Sequence, residues 1–141
     1  MLSTAINIAV KAHEGQRDKA HAPYILHPLH VMNSVERLDL KIIAVLHDVL
    51  EDSDFTSEDL AFEGISEGII YVVKILSHRK GEDYKDYILR VGRDKNATIV
   101  KIADLEHNMD IKRLGDISME DIRRLKKYQS AYTVLKSTRW F

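Results

Sequence analysis

The chain contains no cysteine, which excludes disulfide bonds and thiolate zinc sites. Its formal net charge is only −1, so it lacks the basic excess that captures nucleic acid or an anionic membrane. No window approaches the roughly 20 apolar residues of a membrane span, and the start of the chain does not resemble a secretory signal. We therefore expect a cytoplasmic protein without nucleic-acid or membrane partners. Any anionic substrate would be held by a local basic cluster or a metal.

The composition that remains is that of an ordinary globular domain. Hydrophobic residues make up 45% and charged residues 30% of 141 residues, a length that suits one domain with a substantial core. Apolar residues recur at helical spacing in one segment after another, and no repeat, linker or low-complexity tract interrupts them. The sequence predicts an all-α fold, a single bundle of seven or eight helices over residues 1–141.

Local signals predict where several helices begin. His27-Pro28 marks a helix start, because proline is favoured at a first helical position. Ser3 and Thr56 are candidate N-caps, and Ser118 is a third, with Asp121 as its capping-box partner. The predicted helices cover residues 3–13, 27–35, 41–50, 56–62, 66–76, 83–91 and 96–109, and a last long helix starts at Ser118.

The segment Leu46–Asp52 concentrates ionisable side chains on an otherwise apolar helix. Residues four apart share a helix face, so Glu51 lies one turn beyond His47 and Asp52 one turn beyond Asp48. A buried carboxylate without a partner is costly, and a divalent metal is the simplest cation that satisfies a histidine and an aspartate together. The alternative is that His47 caps or hydrogen-bonds within the core while the acidic residues form a solvated helix end.

Two further ligand-type residues, His27 and Asp104, also interrupt apolar helices. With the motifs around them, the chain resembles the HD superfamily of metal-dependent phosphohydrolases over roughly residues 5–115. Within that superfamily it is similar to the hydrolase domain of RelA/SpoT-type alarmone enzymes and to their small stand-alone homologues, such as those of metazoans. We expect a stand-alone hydrolase, because the remaining length has no room for a synthetase domain. The motifs are Ala12-His13-Glu14-Gly15-Gln16, Pro23-Tyr24-Ile25-Leu26-His27-Pro28-Leu29, His47-Asp48-Val49-Leu50-Glu51-Asp52 and Lys101-Ile102-Ala103-Asp104, with His107-Asn108-Met109 just after.

The resemblance implies one metal ion, usually Mn²⁺, bound by His27, His47, Asp48 and Asp104. The ligand types agree with this independently of the resemblance. Two imidazoles, two carboxylates and no thiolate suit an octahedral first-row ion that keeps positions open for water. Other divalent first-row metals, Zn²⁺ among them, are compatible with the same ligand types.

The resemblance also implies a reaction, the hydrolysis of the 3′-pyrophosphate of guanosine tetra- or pentaphosphate with release of pyrophosphate. Glu51 and Asp52, one turn beyond the predicted ligands, would be the catalytic residues that handle protons. Lys19, Tyr24 and Asn108 match positions that line the nucleotide pocket of these enzymes, and are the predicted substrate-binding residues. The expected partner is therefore a small phosphorylated nucleotide.

The sequence departs from the pattern of the alarmone hydrolases in two segments. Their loop usually reads Arg-Lys-x-Gly, whereas here Asp18 aligns with the arginine, and a carboxylate cannot replace a guanidinium that contacts a purine and would repel phosphates. After Asn108-Met109 the pattern continues Arg-Thr, but this chain has Asp110-Ile111. These departures favour an alternative, an HD hydrolase acting on a different nucleotide. A further alternative is a nucleotide-binding sensor without catalysis, although no ligand is missing.

Overall fold

Nine α-helices and one 3-10 turn account for the regular structure of the computed structural model, which describes residues 1–141. The helices are α1 (Leu2–Ala12), α2 (Leu26–Asn33), α3 (Leu38–Leu46), α4 (Val49–Asp52), α5 (Ser57–Phe62), α6 (Glu67–Leu76), α7 (Tyr84–Val91), α8 (Lys95–Asn108) and α9 (Met119–Lys136). The 3-10 turn covers Ile111–Arg113, and the one strand-like contact is an isolated bridge between Arg17 and Pro23. The prediction of an all-α fold is confirmed.

The predicted helix over 41–50 is divided in the structure, which accounts for the ninth helix. Helix α3 ends at Leu46 and α4 begins at Val49, with His47 and Asp48 forming a turn between them. Asp48 has φ −103° and ψ −2°, so the backbone departs only slightly from helical geometry, and the Asp52 amide still donates to the Asp48 carbonyl at 2.9 Å. The division places His47 at the C-cap of one helix and Asp48 at the N-cap of the next.

Helix α3 lies at the centre of the molecule. Residues 42–46 are all buried, and a helix that is apolar on every side must be covered by other elements. Helices α1, α2, α6 and α8 pack around it, and α8 in turn packs against α2, α6 and α9. The result is one cluster of 30 buried hydrophobic residues, with α2, the α3–α4 turn and α8 meeting at its edge. None of the helices combines the length and the hydropathy that crossing a bilayer demands.

The predicted helix starts have mixed outcomes. Thr56 and Ser118 each form a complete capping box, as the sequence predicted for Ser118. The prediction that Ser3 caps the first helix is wrong, because α1 begins one residue earlier and no side chain caps it. Pro28 is the third residue of α2 rather than the first. At that position the missing N–H still belongs to the first turn, where it has no partner within the helix.

Candidate metal centre

The structure brings the predicted metal ligands together from three separate segments. His27 comes from α2, Asp104 from α8, and His47 and Asp48 from the α3–α4 turn. His27, His47 and Asp104 are buried, and their donor atoms all lie within 4.8 Å of one another. Oδ1 of Asp104 is 2.8 Å from His27 Nε2 and 3.4 Å from His47 Nε2, and Asp48 Oδ2 is 3.1 Å from His47 Nε2. Three of the predicted ligands, His27, His47 and Asp104, therefore surround one small volume, and Asp48 lies beside it against His47.

The orientation of the His47 ring indicates that this volume suits a cation. Its Nδ1 donates to the Ala44 carbonyl oxygen at 2.6 Å, so Nε2 is the nitrogen that is directed to the two carboxylates. That Nε2 atom is buried and has no hydrogen-bond partner in the chain. Two ligand atoms that are each about 2.1 Å from one ion, with a right angle at the ion, lie about 3 Å from one another. This value is similar to the distances of 2.8 to 3.4 Å between the nitrogen and oxygen atoms given above. The residues present thus fit a single divalent ion.

The charges at the centre also favour a cation. Burial alone would lower the pKa of His47, but the carboxylates of Asp48 and Asp104 outweigh it and raise that pKa well above its ordinary value. Burial would raise the pKa of Asp104, yet Lys101 and His47 hold it well below the usual range. The ammonium of Lys101 lies 2.7 Å from Asp104 Oδ2, which leaves Oδ1 directed to the histidines. Both carboxylates therefore stay ionised in a buried site.

Tyr24 and Asn108, predicted as substrate-binding residues, also contact the carboxylates of the centre. The Tyr24 hydroxyl donates to Asp48 Oδ2, and Asn108 Nδ2 donates to Asp104 Oδ1 at 3.0 Å. Contacts of this kind orient metal ligands in proteins. Tyr24 and Asn108 therefore lie between the predicted metal ligands and the adjoining cavity.

A stack of histidines supports His27 from the other side. Nδ1 of His107 lies 2.7 Å from His27 Nδ1, and the exposed His30 ring stacks on His107 with ring centroids 3.8 Å apart. Burial, followed by the neighbouring His27 and His30, lowers the pKa of His107 to about 4, so His107 is neutral near pH 7. A neutral His107 can accept the Nδ1–H of His27, which directs His27 Nε2 to Asp104 Oδ1, where the two atoms could share a cation.

The two predicted catalytic carboxylates have different surroundings. Glu51 Oε1 accepts a hydrogen bond of 2.8 Å from the backbone N–H of His78, so one of its oxygens is already engaged. Asp52 faces the adjoining cavity, and its backbone carbonyl accepts from the Gln16 side chain at 2.7 Å. Partial burial, together with the charges of Asp48 and Glu51, raises the pKa of Asp52 to about 6. Of the two, Asp52 is better placed to exchange a proton.

A cavity of about 650 Å³ opens beside the centre. Its volume is in the range of small-molecule sites, and Lys19, Tyr24, Asn108 and Asp52 all line it. The charged side chains in its wall are Arg17, Lys19, Arg113 and Arg124, against Asp18, Asp52, Asp110 and Asp121. Because these signs balance, the wall has no net excess of positive charge. Binding of a strongly anionic ligand would therefore depend on a cation at the centre.

Asp18 does not act as the free negative charge that the sequence suggested. Its Oδ1 accepts from the backbone N–H groups of Ala20 and Ala22 at 2.8 and 2.9 Å, and its Oδ2 accepts from Arg113 Nη1 at 2.9 Å. Although burial acts in the opposite direction, these contacts lower the pKa of Asp18. The carboxylate is thus ionised and paired, and the expected repulsion of phosphates is offset by a guanidinium.

Sequence reasoning missed three residues in the cavity wall: Arg113, Arg124 and Tyr128. Arg124 and Tyr128 are four residues apart on α9 and share a face, but the sequence does not reveal which face of α9 meets the cavity. Arg113 had no local signal, because its partner Asp18 is 95 residues away in the chain.

Comparisons with known proteins found similar sequences and a similar fold, although no protein-family model matches the chain. A guanosine-3′,5′-bis(diphosphate) 3′-pyrophosphohydrolase of Haemophilus influenzae is 34% identical over 134 aligned positions, which cover 85% of this chain and 20% of that protein. The enzyme of the same name from Vibrio cholerae is 31% identical over 85% of this chain and 19% of that protein. The bifunctional (p)ppGpp synthase/hydrolase SpoT of Escherichia coli is 29% identical over 89% of this chain and 20% of that protein. The chain therefore spans about one fifth of the length of these relatives.

A solved structure of similar size shares the fold. It is described as a metazoan ortholog of SpoT that hydrolyzes ppGpp and plays a role in starvation responses. The two structures superpose with a TM-score of 0.81 over 97% of this chain and 86% of that one, at 19% sequence identity. The resemblance identified from the sequence motifs is confirmed: this chain has the HD-domain fold and is similar in sequence to SpoT-type proteins.

Proposed function

We propose that this chain is a metal-dependent phosphohydrolase that removes the 3′-pyrophosphate of guanosine 3′,5′-bis(diphosphate). The observation that carries the proposal is the convergence of His27, His47 and Asp104 on one buried volume, with Asp48 against His47, beside a nucleotide-sized cavity. The names of the relatives add the substrate class. In this proposal, residues 1–141 form a single HD phosphohydrolase domain.

His27, His47, Asp48 and Asp104 would hold one divalent ion, with Mn²⁺ as the proposed metal. A bound ion of this kind lowers the pKa of water and polarises a phosphoryl oxygen. The chain itself contributes the orientation of the ligands. The contacts from Ala44, Lys101 and Asn108 described above fix the histidine tautomer and the carboxylate rotamer before substrate arrives.

Asp52 is the proposed proton acceptor. With a pKa of about 6 it is mostly ionised at neutral pH, yet basic enough to take a proton from an attacking water molecule. Glu51 contributes a neighbouring negative charge that helps to keep the pKa of Asp52 high, while the His78 amide holds it in place. Both carboxylates are therefore assigned to catalysis, with Asp52 in the direct role.

The cavity would hold the nucleotide. Lys19 is exposed and lines the cavity, so it can approach phosphate oxygens as a mobile point charge. Tyr24 and Asn108 form the part of the wall next to the metal ligands, where they would border the phosphoryl group under attack. The products of this cleavage are guanosine 5′-diphosphate and inorganic pyrophosphate.

Incubating the purified chain and Mn²⁺ with guanosine 3′,5′-bis(diphosphate) tests the proposal. We expect release of pyrophosphate, and none after the metal is removed with a chelator. A panel with adenosine and inosine counterparts distinguishes the substrate from a different nucleotide. If the protein binds metal and nucleotide but turns over nothing on the panel, it is a sensor and the enzymatic assignment fails.

A further inference from the structure

Arg113 is a guanidinium of the cavity wall that an ion pair orients and that remains accessible. Its Nη1 donates to Asp18 Oδ2 at 2.9 Å, and its Nε and Nη2 make no hydrogen bond within the chain. The side chain of Arg113 is 39% exposed, whereas that of Asp18 is only 13% exposed. The half-buried carboxylate of Asp18 therefore holds one edge of the guanidinium, and the remaining donors are available to a ligand in the cavity.

The loop that carries Asp18 is itself rigid. The backbone amide of Asp18 donates to the Ala22 carbonyl, and Arg17 Nη1 donates to the His21 carbonyl, both at 2.9 Å. His21 has a φ of 65°, a left-handed conformation that costs free energy in a residue with a side chain and is maintained here by these bonds. Asp18, with both oxygens already engaged, therefore has a defined position from which to orient Arg113.

We propose that Arg113, positioned by Asp18, determines base specificity by donating to the O6 and N7 acceptors of a guanine. This inference rests on the proposed function and names a residue for its substrate selection. A guanidinium fork matches the two adjacent acceptors of guanine, whereas adenine presents a donor beside its N7. The cavity would therefore select a 6-oxopurine.

The charge of the pair favours a base over a phosphate as its ligand. Asp18 and Arg113 neutralise one another, so the pair offers hydrogen-bond donors without a net positive charge. Lys19 is exposed in the same wall with no partner of opposite charge and is better suited to a phosphate group. The base of the nucleotide is thus matched to Arg113, and its phosphate groups are matched to Lys19.

Substitution of Arg113 tests the proposal with the full chain, Mn²⁺, and the 3′,5′-bis(diphosphates) of guanosine, inosine and adenosine. For the unaltered chain we expect guanosine and inosine to be preferred over adenosine by roughly 10- to 100-fold in kcat/KM. In Arg113→Lys and Arg113→Gln the preference should fall to about twofold, through a higher KM for guanosine and inosine. Lysine keeps the positive charge but lacks the two parallel donors of the guanidinium. The Arg113→Lys variant therefore separates hydrogen bonding to the base from electrostatic attraction of the nucleotide.

Several controls make each outcome decisive. Arg37→Gln removes an exposed arginine paired with Asp39 outside the cavity and should leave the preference unchanged. Asp18→Asn frees Arg113 and should reduce the preference while Mn²⁺ binding, measured without nucleotide, stays the same. If Arg113→Gln weakens guanosine and adenosine equally, Arg113 contacts phosphate and the proposal is overturned.

The same comparison does not require turnover. Calorimetric binding of the three nucleotides measures the preference directly, so a chain that binds guanosine selectively without hydrolysing it would sink the proposed function and leave the role of Arg113 intact. Equal affinity of the unaltered chain for guanosine and adenosine nucleotides overturns the inference. A thermal melt of each variant establishes whether it is folded. If Arg113→Gln is not folded, the nucleotide preference of Arg113→Lys tests the proposal in its place.

Discussion

The metal centre and the wall of the cavity beside it are built in different ways. Every proposed ligand of the centre is on or next to a helix that contributes to the hydrophobic core, and three of the four are themselves buried. The cavity wall instead combines the loop over residues 17–23, the 3-10 turn after α8 and one face of α9. Two of its arginines are oriented by ion pairs, Arg113 by the distant Asp18 and Arg124 by Asp121 one turn earlier on α9.

This difference predicts which properties tolerate change. Ligand geometry in the core is coupled to packing, so a substitution there should abolish metal binding as a unit. Ion pairs in the wall can be exchanged without disturbing the core, so substrate choice can change while the chemistry is retained. Selectivity and chemistry are therefore expected to belong to separable parts of the molecule. Three substitutions at or beside the centre test this expectation, and a fourth, outside both regions, tests an ion pair that stabilises the fold.

Replacement of Asp104 should have the largest effect. In Asp104→Asn the carboxylate between the two histidines is lost and Lys101 loses its counter-charge, so we expect Mn²⁺ affinity to fall at least about 100-fold and turnover to reach background. Metal content after dialysis and pyrophosphate release measure both. Asp110→Asn, in the cavity wall six residues later, is the matched control and should keep its metal. Normal metal content in Asp104→Asn would contradict the proposed ligand set.

The next largest effect is expected at Asp52. Asp52→Asn removes the proposed proton acceptor, so kcat should fall by about 10²- to 10⁴-fold while Mn²⁺ binding persists. Glu51→Gln should cost less, because that side chain is held by the His78 amide and acts through Asp52. Asp54→Asn, an exposed aspartate nearby, serves as control. Equal rates in Asp52→Asn and the unaltered chain would remove Asp52 from catalysis.

A smaller effect is expected from the contacts behind the ligands. Tyr24→Phe deletes the hydroxyl that donates to Asp48 and should weaken Mn²⁺ binding by roughly 10-fold, toward the lower end for residues that orient metal ligands. Isothermal titration with Mn²⁺ measures the change. Tyr71→Phe alters a tyrosine that is 63% exposed and should have no effect. If Tyr24→Phe retains full affinity, the hydroxyl contact does not orient Asp48.

The smallest effect concerns a pair outside both regions. Hydrogen bonds from Arg90 lower the pKa of Glu82 from 4.5 to about 2. Because the pKa is lower in the folded state, the stabilisation is present above pH 4.5 and is lost as pH falls toward 2. Glu82→Gln should therefore lower the free energy of unfolding by about 1 kcal/mol at pH 7, and the difference should shrink in acid.

Urea unfolding at several pH values measures that difference. Glu63→Gln, at an exposed position, provides the baseline for removal of a surface glutamate. A constant difference between Glu82→Gln and the unaltered chain from neutral to acid pH would show that the ion pair does not stabilise the fold. Metal binding should be the same in both proteins, which would separate this effect from the two functional regions.

His47 and Asp48 show how much of the proposed metal centre could be predicted from the sequence. Ionisable residues inside an apolar helix pointed to a shared cation, and their relation to Glu51 and Asp52 one turn later followed from helical spacing. The break of the helix at His47 did not follow from the sequence, because both residues are compatible with a continuous helix. Only the packing of α3 against its neighbours, and of α4 against α1, decided where one helix ends and the next begins.

The amino-acid sequence by itself determined the helical class and the residues able to bind a metal, since helical periodicity and ligand chemistry are local properties of the chain. The tertiary structure alone decided that Asp18 is neutralised by Arg113 and that α9 directs Arg124 and Tyr128 to the cavity. Contacts between residues 95 positions apart depend on how the helices pack, and no periodicity in the sequence encodes them.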